Sequence, residues 1–545
     1  MRIDVIYCNG RFETLDEMHP RAHRVGIANG RVVGVDEELE GASADIEIDL
    51  AGQPVVPGFN DAHRHLLIES QRLSQLDLSS SVGETPESIL EAVGKRAQKT
   101  PKSWILGYGY DLRRLQGRPS AQTLESVAGQ EAPVWLEDHT GHVGIASTSA
   151  LERAGLAHGG KSAELVELDD EGRPFGLVKE QAVGLMRRSI GPTPACDLVE
   201  LLGQSASHCA AQGITSITEA GIGATLGLGD GPRDIGVFSA ASEQGRLPVR
   251  ATLMPFVTVP HGIEEVGEFS EWRGLDLGIG PGFGDEWLRI GPVKVLLDGS
   301  LRACTAAMTQ DYHGLPGERG VFQFEPKKYR RKVAQLHESG WQIATHAIGD
   351  SAVETVLDAY ELVQRDSPRR NARHRIEHGT VMTDAQVRRL GAAGIVAVPQ
   401  GAFITEMGDA ALAVLGSERA KLAHRMKSLI DAGVVLAGSS DAPVADGSPL
   451  IGIDAMVNRR TATGVVLNPD EALTPREALV AYTYGSAYAA GEERIKGKLR
   501  RGQLADFAVL SDDLLSVHRH RIKELSVGAT VLGGEIVYNS GAIDE

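Results

Sequence analysis

Eight short apolar segments recur along the middle of this chain, most of them separated by stretches of helical periodicity. That alternation limits the fold more than any other feature. The segments are Pro54–Asn60, Ile214–Ala220, Val249–Pro255, Ile290–Leu297, Gln342–Ala347, His374–Glu377, Ile395–Pro399 and Val434–Ala437. Helical runs lie between them, such as Ala195 to Gln212, Asp350 to Gln364 and Ser417 to Ala432. Strands that alternate with helices form parallel sheets, because each helix is the crossover that returns the chain to the same edge. Eight such units favour an α/β fold closed into a (β/α)8 TIM barrel over an open sheet.

The two ends of the chain read differently. Ile3 to Tyr7 alternates, Asn9-Gly10 turns, and Val25 to Ala28 leads through Asn29-Gly30 into Arg31 to Val35. Phe507 to Leu510, Glu524 to Leu532 and Gly534 to Tyr538 are short and β-rich as well. Two strand-rich ends can complete sheets that neither could stabilise alone. We therefore expect a small β-sandwich domain from residues 1–53 and 497–545, and a barrel over 54–496. The gap after the first barrel strand is too long for one helix. It predicts an inserted subdomain over 66–213 that shapes the pocket.

Lys and Arg total 55 against 73 Asp and Glu, so the net charge is −18. Phosphate backbones need basic partners, and this balance argues against nucleic acid. The four cysteines are scattered, which excludes a disulfide framework or a thiolate zinc site. The first ten residues lack signal-peptide character, and no apolar run approaches the ~18–20 residues that span a bilayer. The expectation is a cytoplasmic protein with a small-molecule substrate and no membrane partner; homo-oligomerisation is left open.

Ligand-type side chains cluster where a barrel builds its active site, at the C-terminal ends of the strands. His63 and His65 are two apart, so on an extended segment their imidazoles share a side. Alone, such a pair is weak evidence of a metal site. However, His346, His378 and Asp441 close three further strands. Nitrogen and oxygen donors of this kind suit zinc or another divalent ion. Lys294 lies inside the strand Ile290–Leu297 and is expected to be buried. Burial lowers an amine's pKa and frees its lone pair, which can add carbon dioxide to form a carbamate. A salt bridge to Asp298 or another carboxylate is the equally weighted alternative.

Six stretches in order resemble the amidohydrolase superfamily, in the amidohydrolase 3 branch that holds YtcJ-like and N-substituted formamide deformylase-like proteins. They are Val56 to His65, Val293 to Ser300, Thr345 to Asp350, His374 to His378, Gly438 to Pro443 and Gly497 to Asp506. The resemblance implies two metal ions, read as zinc. His63 and His65 would hold the more buried one and His346 and His378 the second, with a carboxylated Lys294 bridging them. Asp441 would touch a metal and shuttle protons. Through Gly107 to Asp111 and Gly141-His142, it also implies substrate contacts at Tyr110 and His142. The sequence departs from the branch's usual residues at Tyr110, Ser147 and Glu219, none of them a proposed ligand.

The chemistry expected is hydrolysis of a non-peptide C–N bond (an N-acyl, N-formyl or cyclic amide) by a metal-bound hydroxide, with Asp441 passing the proton to the leaving nitrogen. Lactone or ester hydrolysis, a mononuclear deaminase and a non-catalytic regulatory protein are the alternatives. A serine hydrolase is disfavoured because no Gly-x-Ser-x-Gly elbow is present.

Overall fold

A computed structural model describes residues 2–543 apart from 80, 113–114, 116, 139–142, 158–165, 180, 224–230 and 263–272. It divides into two compact units, Met1–Leu67 with Leu202–Glu545, and Ile68–Leu201.

In the larger unit, parallel strands follow one another around a ring. They are β1 (Phe59–Arg64), β2 (Ile214–Ile222), β3 (Arg250–Pro255), β4 (Val293–Leu296), β5 (Ile343–Ala347), β6 (Arg375–His378) and β7 (Val396–Val398). β1 pairs β2, and β2 pairs β3. β3 pairs the short strand Leu288–Ile290 and reaches β4 through a bridge from Phe256 to Lys294. β4 pairs β5, β5 pairs β6 and β6 pairs β7. The segment 434–439 then joins β7 through the bridges Ala397–Leu436 and Gln400–Ser439. The circuit returns to β1 where Ala62 N–H donates to the Gly438 carbonyl (3.1 Å) and Asp441 N–H to that of His63 (2.8 Å). β1, β2 and β3 are buried along their whole length, so polar residues such as Asp61, His63 and Glu219 are buried with the apolar ones.

Two strand assignments change. Pro54–Pro57 is not part of the ring; it pairs Phe507–Leu510 and Arg11–Glu13 in a six-stranded sheet, and the first ring strand begins at Phe59. An apolar run cannot reveal that Gly58 divides it between two sheets. Val434–Ala437 is extended but makes single bridges instead of a continuous ladder.

Strands from both chain ends share the six-stranded sheet, in the order Glu535–Asn539, Val527–Leu532, Phe507–Leu510, Pro54–Pro57, Arg11–Glu13, Arg21–Ala22. A four-stranded sheet of Arg31–Val35, Val25–Ala28, Arg2–Cys8 and Ser43–Asp49 lies beside it in sequence. One apolar cluster spans the two sheets, with Phe507 meeting Tyr7 edge-on at 4.9 Å.

The smaller unit has its own six-stranded sheet and core. Its strand order is Val166–Leu168, Pro174–Lys179, Val143–Ala146, Val134–Asp138, Ile105–Tyr110, Leu76–Asp77. Helix Pro86–Lys99 packs Ile89 and Val93 into that core. Among the described residues no helix is long and apolar enough to cross a membrane.

Candidate metal centre

The ring gathers its ligand-type residues at one mouth because each follows or ends a strand. His63 lies on β1 and His65 follows it, Lys294 is on β4, His346 on β5, and His378 ends β6. Asp441 follows the segment 434–439. All six line one cavity of about 250 Å³. His63, His378 and Asp441 each offer a donor atom within 4.8 Å of the other two. His378 (φ +69°) and Asp441 (φ +61°) both sit in left-handed backbone, a strained conformation that turns the side chain at the strand end.

Hydrogen bonds outside this cluster decide which nitrogen each imidazole presents. His63 Nδ1 bonds the Glu377 carboxylate, so Nε2 is left facing Asp441 Oδ1 at 3.3 Å. Glu377 is itself held by Arg375 at 2.8 and 2.9 Å. Burial alone would raise the Glu377 carboxyl, but Arg375 and His63 keep it far below the usual range. His378 Nδ1 bonds Gln400 Oε1 at 2.7 Å, again leaving Nε2. His346 is reversed: its Nε2 meets the Gly299 carbonyl at 3.0 Å, so Nδ1 is its free donor. His65 Nε2 lies 3.2 Å from Asp441 Oδ1, and its buried Nδ1 has no partner among the described residues.

The charges also suit a cation. Burial opposes ionisation of Asp441, yet His63 and His65 beside it hold it well below the ordinary carboxyl value. Burial pushes His346 down to about 4, with Lys294 adding to the effect, so it is a neutral ligand. Burial lowers Lys294 to about 8 against the pull of Glu377 and Asp441. Its Nζ lies 3.2 Å from His63 Nε2. Asp298, the partner weighed for it above, instead accepts amide N–H groups from Ala307, Ile348 and Gly349 at 2.9, 3.0 and 2.9 Å. A carboxylate, neutral imidazoles with their second nitrogens anchored, and an unpartnered buried nitrogen together fit a divalent metal ion.

The substrate contacts expected in the insert fare differently. Tyr110 is 1% exposed in the core of the smaller unit, and its hydroxyl donates to the Leu136 carbonyl (3.3 Å). That burial packs its ring in the core of the smaller unit. His142 lies outside the described residues. Sequence reasoning passed over Glu377 and Gln400. Glu377 is visible within Arg375-Ile376-Glu377-His378, where alternation sends it and Arg375 to one side. Gln400 follows β7 with no sequence signal.

A family model described as the amidohydrolase family matches residues 47–538. The chain belongs to the amidohydrolase family. It is 31% identical to the protein LONG AFTER FAR-RED 3 of Arabidopsis thaliana, over 98% of this chain and 91% of that one. It is 29% identical to YtcJ of Bacillus subtilis (98% and 99% covered) and 28% to N-substituted formamide deformylase of Arthrobacter pascens (98% and 98%). A solved structure of an uncharacterized metal-dependent hydrolase from Pyrococcus furiosus matches with a TM-score of 0.75 at 26% identity, covering 94% of this chain and 100% of that one. The family and its structural neighbours point to a metal-dependent hydrolase of TIM-barrel fold, and the His/Asp cluster at the ring's mouth is the candidate metal site.

Proposed function

We propose that the protein hydrolyses a non-peptide C–N bond in a small amide, N-acyl, N-formyl or cyclic. The observation that carries this reading is the convergence of His63, His378 and Asp441 within 4.8 Å in a chain of the amidohydrolase family. The likeness to N-substituted formamide deformylase over nearly the whole chain supports the bond type.

His63 and His65 would hold one divalent ion, read as zinc, and His346 and His378 a second; Asp441 and a carboxylated Lys294 would complete the set. A bound divalent ion supplies Lewis acidity, lowering the pKa of water and polarising a carbonyl. The protein's own residues do the rest. Glu377 and Gln400 fix the tautomers of His63 and His378. Asp441, ionised at neutral pH, takes the proton of the attacking water and returns it to the leaving nitrogen. Lys294, with its pKa brought to about 8, has a free amine fraction near neutrality. Once the ammonium has lost its proton, that nitrogen attacks carbon dioxide, one C–O π bond opens as the N–C bond forms, and a second proton leaves, so a cation beside the site is replaced by an anion.

Protein stripped by chelation and reloaded with zinc is to be assayed against N-formyl, N-acyl, cyclic amide and lactone panels. Amine release by the loaded form alone is expected. No C–N hydrolysis by loaded protein, or turnover indifferent to stripping, sinks the reading.

A further inference from the structure

Two polar groups in the cavity wall have no part in this chemistry. His424 is 5% exposed, and among the described residues neither of its ring nitrogens has a hydrogen-bond partner. Its backbone is fully engaged: its N–H donates to the Thr380 carbonyl (2.8 Å), and its own carbonyl accepts from Arg459 (3.0 Å). Its φ of +53° is a strained setting that only a tightly determined loop holds. Burial, reinforced by Arg459, lowers the imidazole to about 3, so the ring is neutral and carries one donor and one acceptor. Neither nitrogen is a buried unsatisfied atom; the ring lines the cavity and offers its donor and acceptor to the cavity's occupant.

Arg302 is the second group. It is exposed, lines the same cavity and has no ion pair among the described residues. Glu406 acts on it from nearby, but that carboxylate accepts the Asp446 amide at 2.9 Å. Leu301, Phe403, Met407 and Val444 make the neighbouring wall apolar.

We propose that this cavity selects a compact amide bearing both an apolar group and a carboxylate. Arg302 pairs with the carboxylate, His424 hydrogen-bonds a polar atom of the same molecule, and the apolar wall takes its hydrocarbon. The amide rests on the function proposed above; the anion and the apolar group rest on the wall. A guanidinium matches a carboxylate in shape and charge, whereas a phosphate dianion would leave charge unmatched beside an apolar surface. In a chain of net charge −18, an unpaired cation at the cavity also offsets the general repulsion of an anion.

The probes are N-acetylleucine, in both enantiomers, and the corresponding uncharged methyl esters. Binding to zinc-loaded protein is measured by calorimetry and hydrolysis is followed separately. One enantiomer of the acid is expected to bind at least about tenfold tighter than its ester, with the gap narrowing as salt rises. Arg302→Gln should bring acid and ester within about twofold while leaving metal content and melting temperature unchanged. His424→Gln, which is neutral and polar, should keep most of the affinity, and His424→Phe should weaken both probes. Ester binding as tight as acid, no binding of either, or a preference that survives Arg302→Gln overturns the proposal. Arg302-dependent binding without hydrolysis would instead count against the hydrolase reading alone. Hydrolysis of esters with no preference for acids would spare that reading and refute this one.

Discussion

Asp441 Oδ1 lies 3.3 Å from His63 Nε2 and 3.2 Å from His65 Nε2, and its backbone N–H is tied to the His63 carbonyl at 2.8 Å. Asp441→Asn keeps the size and the backbone tie but removes the proton acceptor. Turnover should fall by roughly 10²-fold or more, with the melting temperature little changed. Glu377 acts through another residue. Glu377→Gln removes the charge that orients His63 and leaves Arg375 buried beside a neutral amide. Zinc affinity, measured by competition with a chromophoric chelator, should drop about 10- to 100-fold. Unchanged zinc affinity would show that His63 needs no such anchor. Lys294 gives a pH test. Its amine is unprotonated above about 8 and increasingly protonated below, so added bicarbonate should raise zinc content more at pH 8 than at pH 6. A carbamate signal with ¹³C-bicarbonate should appear in the same order and vanish in Lys294→Ala. Equal loading at both pH values, with no such signal, would refute carboxylation.

The first ring strand enters through Gly58. Pro54–Pro57 belongs to the six-stranded sheet and Phe59–Arg64 to the ring, and the chain passes between them at one residue. Gly58 N–H donates to the Asp506 carbonyl (2.9 Å) and Phe59 N–H to that of Gly213 (3.0 Å). A Cβ at position 58 would lie 2.2 Å from Thr215 Oγ1 and 2.4 Å from its Cγ2. Thr215 is β-branched and 1% exposed, so it cannot swing aside. Gly58→Ala should therefore destabilise the protein by about 1–3 kcal/mol, the cost of overpacking, as read by denaturant unfolding. A loss below half a kcal/mol would mean that β1 and β2 can shift apart.

Over the whole molecule, buried neutral histidines set the response to acid. His374 Nδ1 accepts the Ile343 amide at 3.1 Å, so its Nε2–H points to His337 Nδ1 at 2.8 Å, and His337 in turn donates to the Ser367 carbonyl (2.7 Å). Burial holds His374 far below its ordinary pKa, and His424 at about 3. Both are depressed on folding, so the unfolded chain binds more protons once the pH drops below about 6.5. Stability should be full above that value and decline as pH falls toward 3, by up to about 1.4 kcal/mol per pH unit for each group. His374→Gln should flatten part of that slope in chemical denaturation at pH 7, 6 and 5. A slope identical to that of the unsubstituted protein would remove His374 from the account.

The sequence by itself determined the βα alternation and which residue types close the strands. Local periodicity fixes where a side chain points, and His63, His65, Lys294, His346, His378 and Asp441 each stand at a strand end or within a strand that could be read that way. Tertiary structure alone decided the rest. Pro54–Pro57 and Phe59–Arg64 follow each other with one residue between them, and only pairing partners more than a hundred residues away divide them between two sheets. Tyr110 lay in a motif read for substrate, but its neighbours bury it as core. Gln400, Arg302 and His424 meet the site through contacts of long sequence separation that no local pattern encodes. A strand records its own burial in its residues, but the identity of what it packs against is written elsewhere in the chain.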